Sequence, residues 1–197
     1  MARTSRSDKA NTHQRILAQA ARALRASGAS GVSIPALMKS VGLTHGTFYA
    51  HFASKDALVA ETYATRIDEA TDNMLRAAET APPEHGVDAF LATYLGARHR
   101  DDVAGGCFFP AMAPEVRREP PEARTEFSNA LSRFFGRIAA VLAKQSPGKP
   151  PDGELVLASG VVGAILLARS VDDPELSDRI LHACRTFYSD AFGGVSG

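Results

Sequence analysis

An all-α fold of about nine helices, with an N-terminal three-helix helix-turn-helix unit and a larger C-terminal helical unit, is what this sequence predicts. Three observations carry that reading. Apolar residues recur at spacings of three and four through most of the 197 positions, with no sustained strand-type alternation. Proline pairs and glycine-bearing loops divide the chain into helix-length segments. The composition, 45% hydrophobic and 22% charged with no Trp, is that of a folded domain, and the length suffices for a sizeable core.

Each element has its own signal. Ile16, Leu17, Ala20, Ala21 and Leu24 place one apolar face on a helix from Thr12 to Ala26, which Gly28 stops. Ser33 to Phe52 holds two short helical patterns around Gly42. Ser33 and Thr44 stand as N-caps, and Gly42 can take the left-handed conformation that ends the first of them. Ile34, Leu37, Val41, Leu43, Phe48 and Phe52 share one small core, which leaves His45, Gly46, Thr47, Tyr49 and His51 nearer solvent. Ser54 caps a long helix to about Thr80, carrying Leu58, Val59, Tyr63, Ile67, Met74 and Leu75, so the units divide at residues 1–53 and 54–197. Pro82-Pro83 breaks the pattern, Val87 to His99 resumes it, and Asp101 to Gly106 reads as a loop feeding a helix at Cys107. Pro120-Pro121 precedes a helix from Glu122 to Lys144. A loop from Ser146 to Pro151 leads to two last helices, near Asp152 to Ser170 and Pro174 to Ala191. The apolar run Leu155 to Ala168 falls short of the roughly 20 residues of a membrane span and reads as a buried helix.

Charge narrows the function. The formal net charge is zero, but residues 1–56 hold eight basic side chains (Arg3, Arg6, Lys9, Arg15, Arg22, Arg25, Lys39, Lys55) against Asp8 and Asp56, a net of +6, so the remaining 141 residues carry −6. A basic module joined to an acidic remainder is the electrostatic footprint of a polyanion reader with a separate second function. Cys107 and Cys184 are too few for a disulfide scaffold, and no Cys/His group has zinc spacing. No metal or other cofactor is expected. The polar, basic stretch Met1 to Asn11 lacks the apolar core of a secretory signal, and a cytoplasmic setting without a membrane partner fits.

A helix-turn-helix lays its second helix in the major groove, where its first residues reach base edges and backbone amides meet phosphate. Gly46, near the start of so short a helix, costs about 1 kcal/mol relative to Ala, which makes sense where backbone must approach a partner. Lys55 stands in the first turn of the next helix, where a cation opposes the macrodipole unless a phosphate satisfies both. Tyr49 offers a hydroxyl and a flat ring to a phosphate oxygen or a thymine methyl.

The run Ser33-Ile34-Pro35-Ala36-Leu37, then Val41-Gly42-Leu43-Thr44-His45-Gly46-Thr47-Phe48-Tyr49-Ala50-His51-Phe52 and Ser54-Lys55-Asp56-Ala57-Leu58, resembles the DNA-binding region of the TetR family of bacterial transcriptional regulators. The resemblance is close over residues 10–60 and holds only in outline beyond. It implies a homodimer on a palindromic double-stranded DNA operator, most often a repressor released by a small-molecule effector. It also implies that Ser33, Thr44, His45, Gly46, Thr47, Tyr49, His51 and Lys55 fall where members touch DNA, and Phe48 and Phe52 where they fill the core. Ala50 departs from the pattern, since many members carry a second aromatic there. Pro35 is unusual but tolerable in a first turn.

In the C-terminal unit, Ser159, Gly160, Gly163 and Ala164 let another helix approach closely. With Leu181, Cys184 and Phe187 they form either an intrachain core or the intersubunit four-helix bundle that the resemblance implies. The effector pocket is expected among the middle helices, lined by Cys107, Phe108, Phe109 and Met112 with Tyr94, Phe127 and Phe134; the alternative is ordinary core. Cys107 follows Gly105-Gly106 at an expected helix start, where the dipole favours a thiolate and sensing of electrophiles or oxidants, unless the thiol is simply buried. The competing enzyme reading takes Cys107 as nucleophile and His99 as base; eight positions separate them, and no third orienting group is apparent. A DNA-bound protein that answers to no small molecule is a further alternative.

Overall fold

The computed structural model describes residues 6–145 and 151–193, and the expected loop at 146–150 lies outside them. Every element among the described residues is helical: α1 (Arg6–Gly31), α2 (Ile34–Ser40), α3 (His45–Phe48), α4 (Lys55–Thr80), a 3-10 turn at Pro83–His85, α5 (Gly86–Tyr94), α6 (Ala97–Asp101), α7 (Phe108–Val116), α8 (Pro121–Gln145), α9 (Gly153–Ser170) and α10 (Pro174–Phe192). The expected all-α class is what the chain adopts.

Helix boundaries follow the local chemistry with two departures. α1 is helical from Arg6 rather than Thr12, because no Gly or Pro interrupts Arg6 to Asn11 and Asp8 in the first turn suits the helix dipole. Gly28 interrupts it as expected, with φ of 67°, and a side chain at that position would overlap the Glu115 carboxylate at the end of α7. Gly42 likewise takes φ of 73° behind α2. The single helix expected from Val87 to His99 is instead broken at Gly96, which is extended (φ −86°, ψ 151°); a Cβ there would stand 2.8 Å from the Ala92 carbonyl oxygen. That break turns His99 inward, where it is 5% exposed. Pro174 opens α10 behind Asp173, whose carboxylate accepts from the Glu175 and Leu176 amides at 2.9 and 3.2 Å.

One continuous apolar core runs through both units. α1 packs on α4 and α7, and α4 packs on α8 and α5. Along their exposed edge α4 and α8 are joined by Arg133 on Asp68 (2.8 Å) and by Arg137 on Asp72 (2.5 Å) and Glu79 (2.7 Å). α9 is long and apolar enough to cross a membrane by length and composition alone, but it packs here against α6, α7, α8 and α10.

Candidate nucleic-acid interface

The N-terminal surface rests on a small aromatic core. Phe48 and Phe52 are buried and 5.5 Å apart, and the His13 ring from α1 stacks on Phe52 at 4.5 Å. His13 is held from the other side by Glu61 of α4, 2.5 Å from its Nε2. Arg15 ties α1 to the end of α2 by donating to the Val41 carbonyl at 2.7 Å. Three helices thereby fix the angle at which the four-residue α3 leaves the surface.

Most of the expected contact residues stand together on that face. Ser33 caps α2 by accepting from the Ala36 amide at 3.5 Å, Pro35 sits in the tolerant first turn, and Ser33, Thr44, His45 and Gly46 are exposed. A Cβ at Gly46 would meet nothing within 4 Å, so the backbone there lies open. Tyr49 is 63% exposed, its ring set edge-on to Phe48 at 5.2 Å and to His45 at 5.7 Å, so the packing that orients it leaves its hydroxyl free. Thr44 takes the N-cap position of α3, but the expected cap bond is absent. Its hydroxyl pairs with the half-buried Thr47 hydroxyl at 3.0 Å, three residues on, while the Thr47 amide donates to the Thr44 carbonyl.

Two expected contacts are placed less openly. His51 is half-buried against α1, its ring 5.6 Å from His13 and its Nδ1 enclosed without a partner; burial, His13 and Lys9 together hold its pKa below the ordinary imidazole value. Lys55 opens α4 behind Ser54, which accepts from the Ala57 amide at 3.0 Å. It lines a cleft of about 570 Å³ between the units with Asp56, Glu115, Arg118 and Glu119. Glu119 is pushed up by burial and by Glu115 and Asp56, with Lys55 opposing. Sequence reasoning did not single out His13, although its place one helical turn before Ile16 and Leu17 was a usable signal.

Comparison with known proteins decides what this arrangement is. Residues 16–62 match the family profile of bacterial regulatory proteins of the tetR family, and residues 83–147 match that of the tetracyclin repressor-like C-terminal domain. The chain belongs to the TetR family of DNA-binding transcriptional regulators. A relative, the HTH-type transcriptional regulator EthR of Mycolicibacterium smegmatis, is 26% identical over 144 residues, which span 70% of this chain and 62% of that protein. The fold matches that of reduced E. coli NemR with a TM-score of 0.80 at 16% identity, over 95% of this chain and 100% of that one. It also matches a TetR-family regulator from Cytophaga hutchinsonii (TM-score 0.79, 18% identity, all of both chains) and one from Chloroflexus aurantiacus (0.73, 22%, 93% of this chain and 96% of that one).

In this TetR-family chain the residues expected to line an effector pocket are brought together, but as packed core. Tyr94, Cys107, Phe108, Phe109, Met112, Phe127 and Phe134 are each 6% exposed or less. Phe109 lies 5.4 Å from Phe127 and 5.0 Å from Phe134, Tyr63 lies 6.1 Å from Phe108, and Arg25 of α1 sits 4.3 Å over the Phe108 ring. Two hydroxyls buried in this unit, on Tyr63 and Thr71, have no hydrogen-bond partner, whereas that of Tyr94 lies against the Cys107 thiol. Burial raises the pKa of both tyrosines, and so both stay neutral donors. An open cleft of about 500 Å³ lies beside them, bounded by Met74, Ala92, Thr93, Gly96, His99 and Gly106.

Cys107 does stand at the start of α7, yet burial outweighs the helix dipole and pushes its thiol up rather than down. His99 does not serve it as a base. Its Nε2 accepts from the Cys107 backbone amide at 3.0 Å and its Nδ1 bonds the Tyr94 carbonyl at 2.7 Å, which assigns the proton to Nδ1 and leaves no free lone pair. Burial lowers the His99 pKa to about 4.

The expected intersubunit residues divide. Ser159 is exposed and a Cβ at Gly163 would meet nothing within 4 Å, so these face outward, while Cys184 is half-buried against the chain's own core. Gly160 is backed by the Tyr188 hydroxyl, and Ala164 and Leu181 are covered by the chain itself, because α9 and α10 pack on each other along those positions. Leu155, Val156 and Leu167 on α9 and Leu176 and Phe187 on α10 are the large apolar side chains left exposed here.

Proposed function

We propose that this TetR-family protein is a sequence-specific repressor that binds a palindromic operator as a homodimer and is released by a small apolar effector. The observation that carries the DNA reading is α3 itself: a four-residue helix, open at Gly46, holding Tyr49 out on a buried phenylalanine base within a segment of net charge +6. Two such helices read a palindrome only when a dimer sets them about one helical turn of DNA apart or a multiple of it. The exposed apolar residues of α9 and α10 supply the surface for that dimer.

The effector acts on the C-terminal core, entering from the cleft beside His99 and engaging Tyr94 and its aromatic neighbours as they repack. α4 begins at the DNA unit and ends among these residues, so a ligand that favours one placement of α4 changes the spacing of the two reading helices. Coupling of this kind is reciprocal: operator DNA weakens effector binding by the same factor. The test is a gel shift with footprinting on the DNA upstream of the protein's own gene at stated salt. A protected palindrome with dimer stoichiometry is the expected result; weak, salt-sensitive binding with no footprint there overturns the reading for that DNA.

A further inference from the structure

Beside the reading helix lies a second basic feature. One stripe of α1, formed by Arg6, Lys9, Ala10, His13 and Gln14, faces the turn at Ala50 and His51 across a cleft of about 340 Å³. Its members differ in how they are held. Gln14 is fixed by Arg66 through both its side chain and its backbone carbonyl, and His13 is fixed by Glu61 and Phe52. Arg6 and Lys9 are exposed, and among the described residues neither meets a carboxylate, whereas Arg66, Arg100, Arg133 and Arg137 each do. His51 closes the cleft with an enclosed, unpartnered Nδ1. Ala50, which follows Tyr49 in the chain, lines the cleft, so it continues the DNA face rather than standing apart from it.

We propose that this cleft seats a phosphodiester of the DNA backbone, gripped by Arg6 and Lys9 outside the helix-turn-helix, and that His51 takes up a proton when the seat is filled. The inference rests on the DNA-binding reading above and adds a contact to it. In the free protein His51 faces cations and rings: Lys9, Arg6 and His13 from α1 and Phe52 on its own turn, with the Glu61 carboxylate of α4 bound to His13. That surrounding disfavours a charged imidazole, as does burial. A phosphate anion placed between Arg6, Lys9 and His51 reverses the local sign, and the imidazolium then donates from both ring nitrogens. Because phosphate contacts carry no sequence information, the seat holds on any duplex.

The experiment therefore needs no operator. A labelled 30-base-pair duplex of arbitrary sequence is titrated with the full chain by fluorescence anisotropy, over a salt series at pH 6, 7 and 8. Arg6→Ala and Lys9→Ala, both exposed and so neutral to folding, are each expected to lower the slope of log affinity against log salt by about 0.9. Wild-type affinity is expected to rise as pH falls, by up to about tenfold per pH unit for one proton taken up. His51→Gln is expected to lose that rise while melting as wild type by circular dichroism. Should His51→Gln melt early, the two α1 variants still decide the seat. Unchanged slopes in both, with Lys55→Ala still lowering the slope, overturn the seat and leave the DNA reading standing. Affinity that does not vary with pH in the wild type overturns the proton uptake. A wild type that binds no duplex at low salt overturns the DNA reading and this inference together.

Discussion

Two aromatic clusters, one in each unit, are built on opposite plans. The N-terminal cluster buries Phe48 and Phe52 and holds Tyr49 out at 63% exposure, whereas the C-terminal cluster keeps Tyr63, Tyr94, Phe108, Phe109, Phe127 and Phe134 all at 6% or less. In the first, core and contact surface are different residues. In the second they are the same residues, so any ligand that uses them must disturb the packing that holds the domain together. On the proposed reading, recognition of DNA costs little stability, and recognition of an effector would draw on the core.

The sharpest way to break this contrast is truncation. Phe134→Ala is expected to cost about 3–5 kcal/mol of unfolding free energy, measured by urea denaturation, and Tyr49→Ala less than about 0.5 kcal/mol. Comparable losses from the two would mean that Tyr49 is structural after all.

Acid comes next in size. His99 ionises near pH 6.5 when unfolded and at about 4 when folded, so the folded chain prefers the neutral ring. Its contribution is complete above pH 6.5 and is lost progressively as pH falls toward 4, on the order of 3 kcal/mol in all. Urea midpoints that fall over this window in wild type but much less in His99→Gln are the expected pattern; equal pH dependence in both would assign the loss to other groups.

The smallest effect carries an unusual sign. Tyr63→Phe removes a buried hydroxyl that has no partner and is expected to raise stability by about 1 kcal/mol. A loss of similar size would show that the hydroxyl is satisfied in solution by a buried water.

Legibility in the sequence follows the same divide. The reading helix could be found because capping residues, a positive-φ glycine and a short apolar pattern act over four or five positions, and Ser33, Gly42, Ser54, Phe48 and Phe52 all stand as those local rules require. Non-local packing was not legible. The turn of His51 against α1 depends on His13, 38 positions earlier, and on Glu61 beyond it. The break at Gly96 is hidden inside an otherwise helical run, and only the inward turn of His99 shows what it accomplishes. For α9 and α10, small-residue spacing marks close approach on either side of a helix, and Ala164 and Leu181 face the inner one.

The ion pairs along α4 and α8 give the proposed signal a direction. Arg133 with Asp68, and Arg137 with Asp72 and Glu79, work like teeth of a rack, each engaged at 2.5–2.8 Å. Sliding one helix past the other by a full turn, about 5.4 Å, would carry all three contacts beyond hydrogen-bond range together. Tilting the pair as one beam disengages none. Under the proposed mechanism, motion born in the C-terminal core would reach the DNA face as a swing of that beam about the end where Ser54 caps it, an angular gearing between the two units.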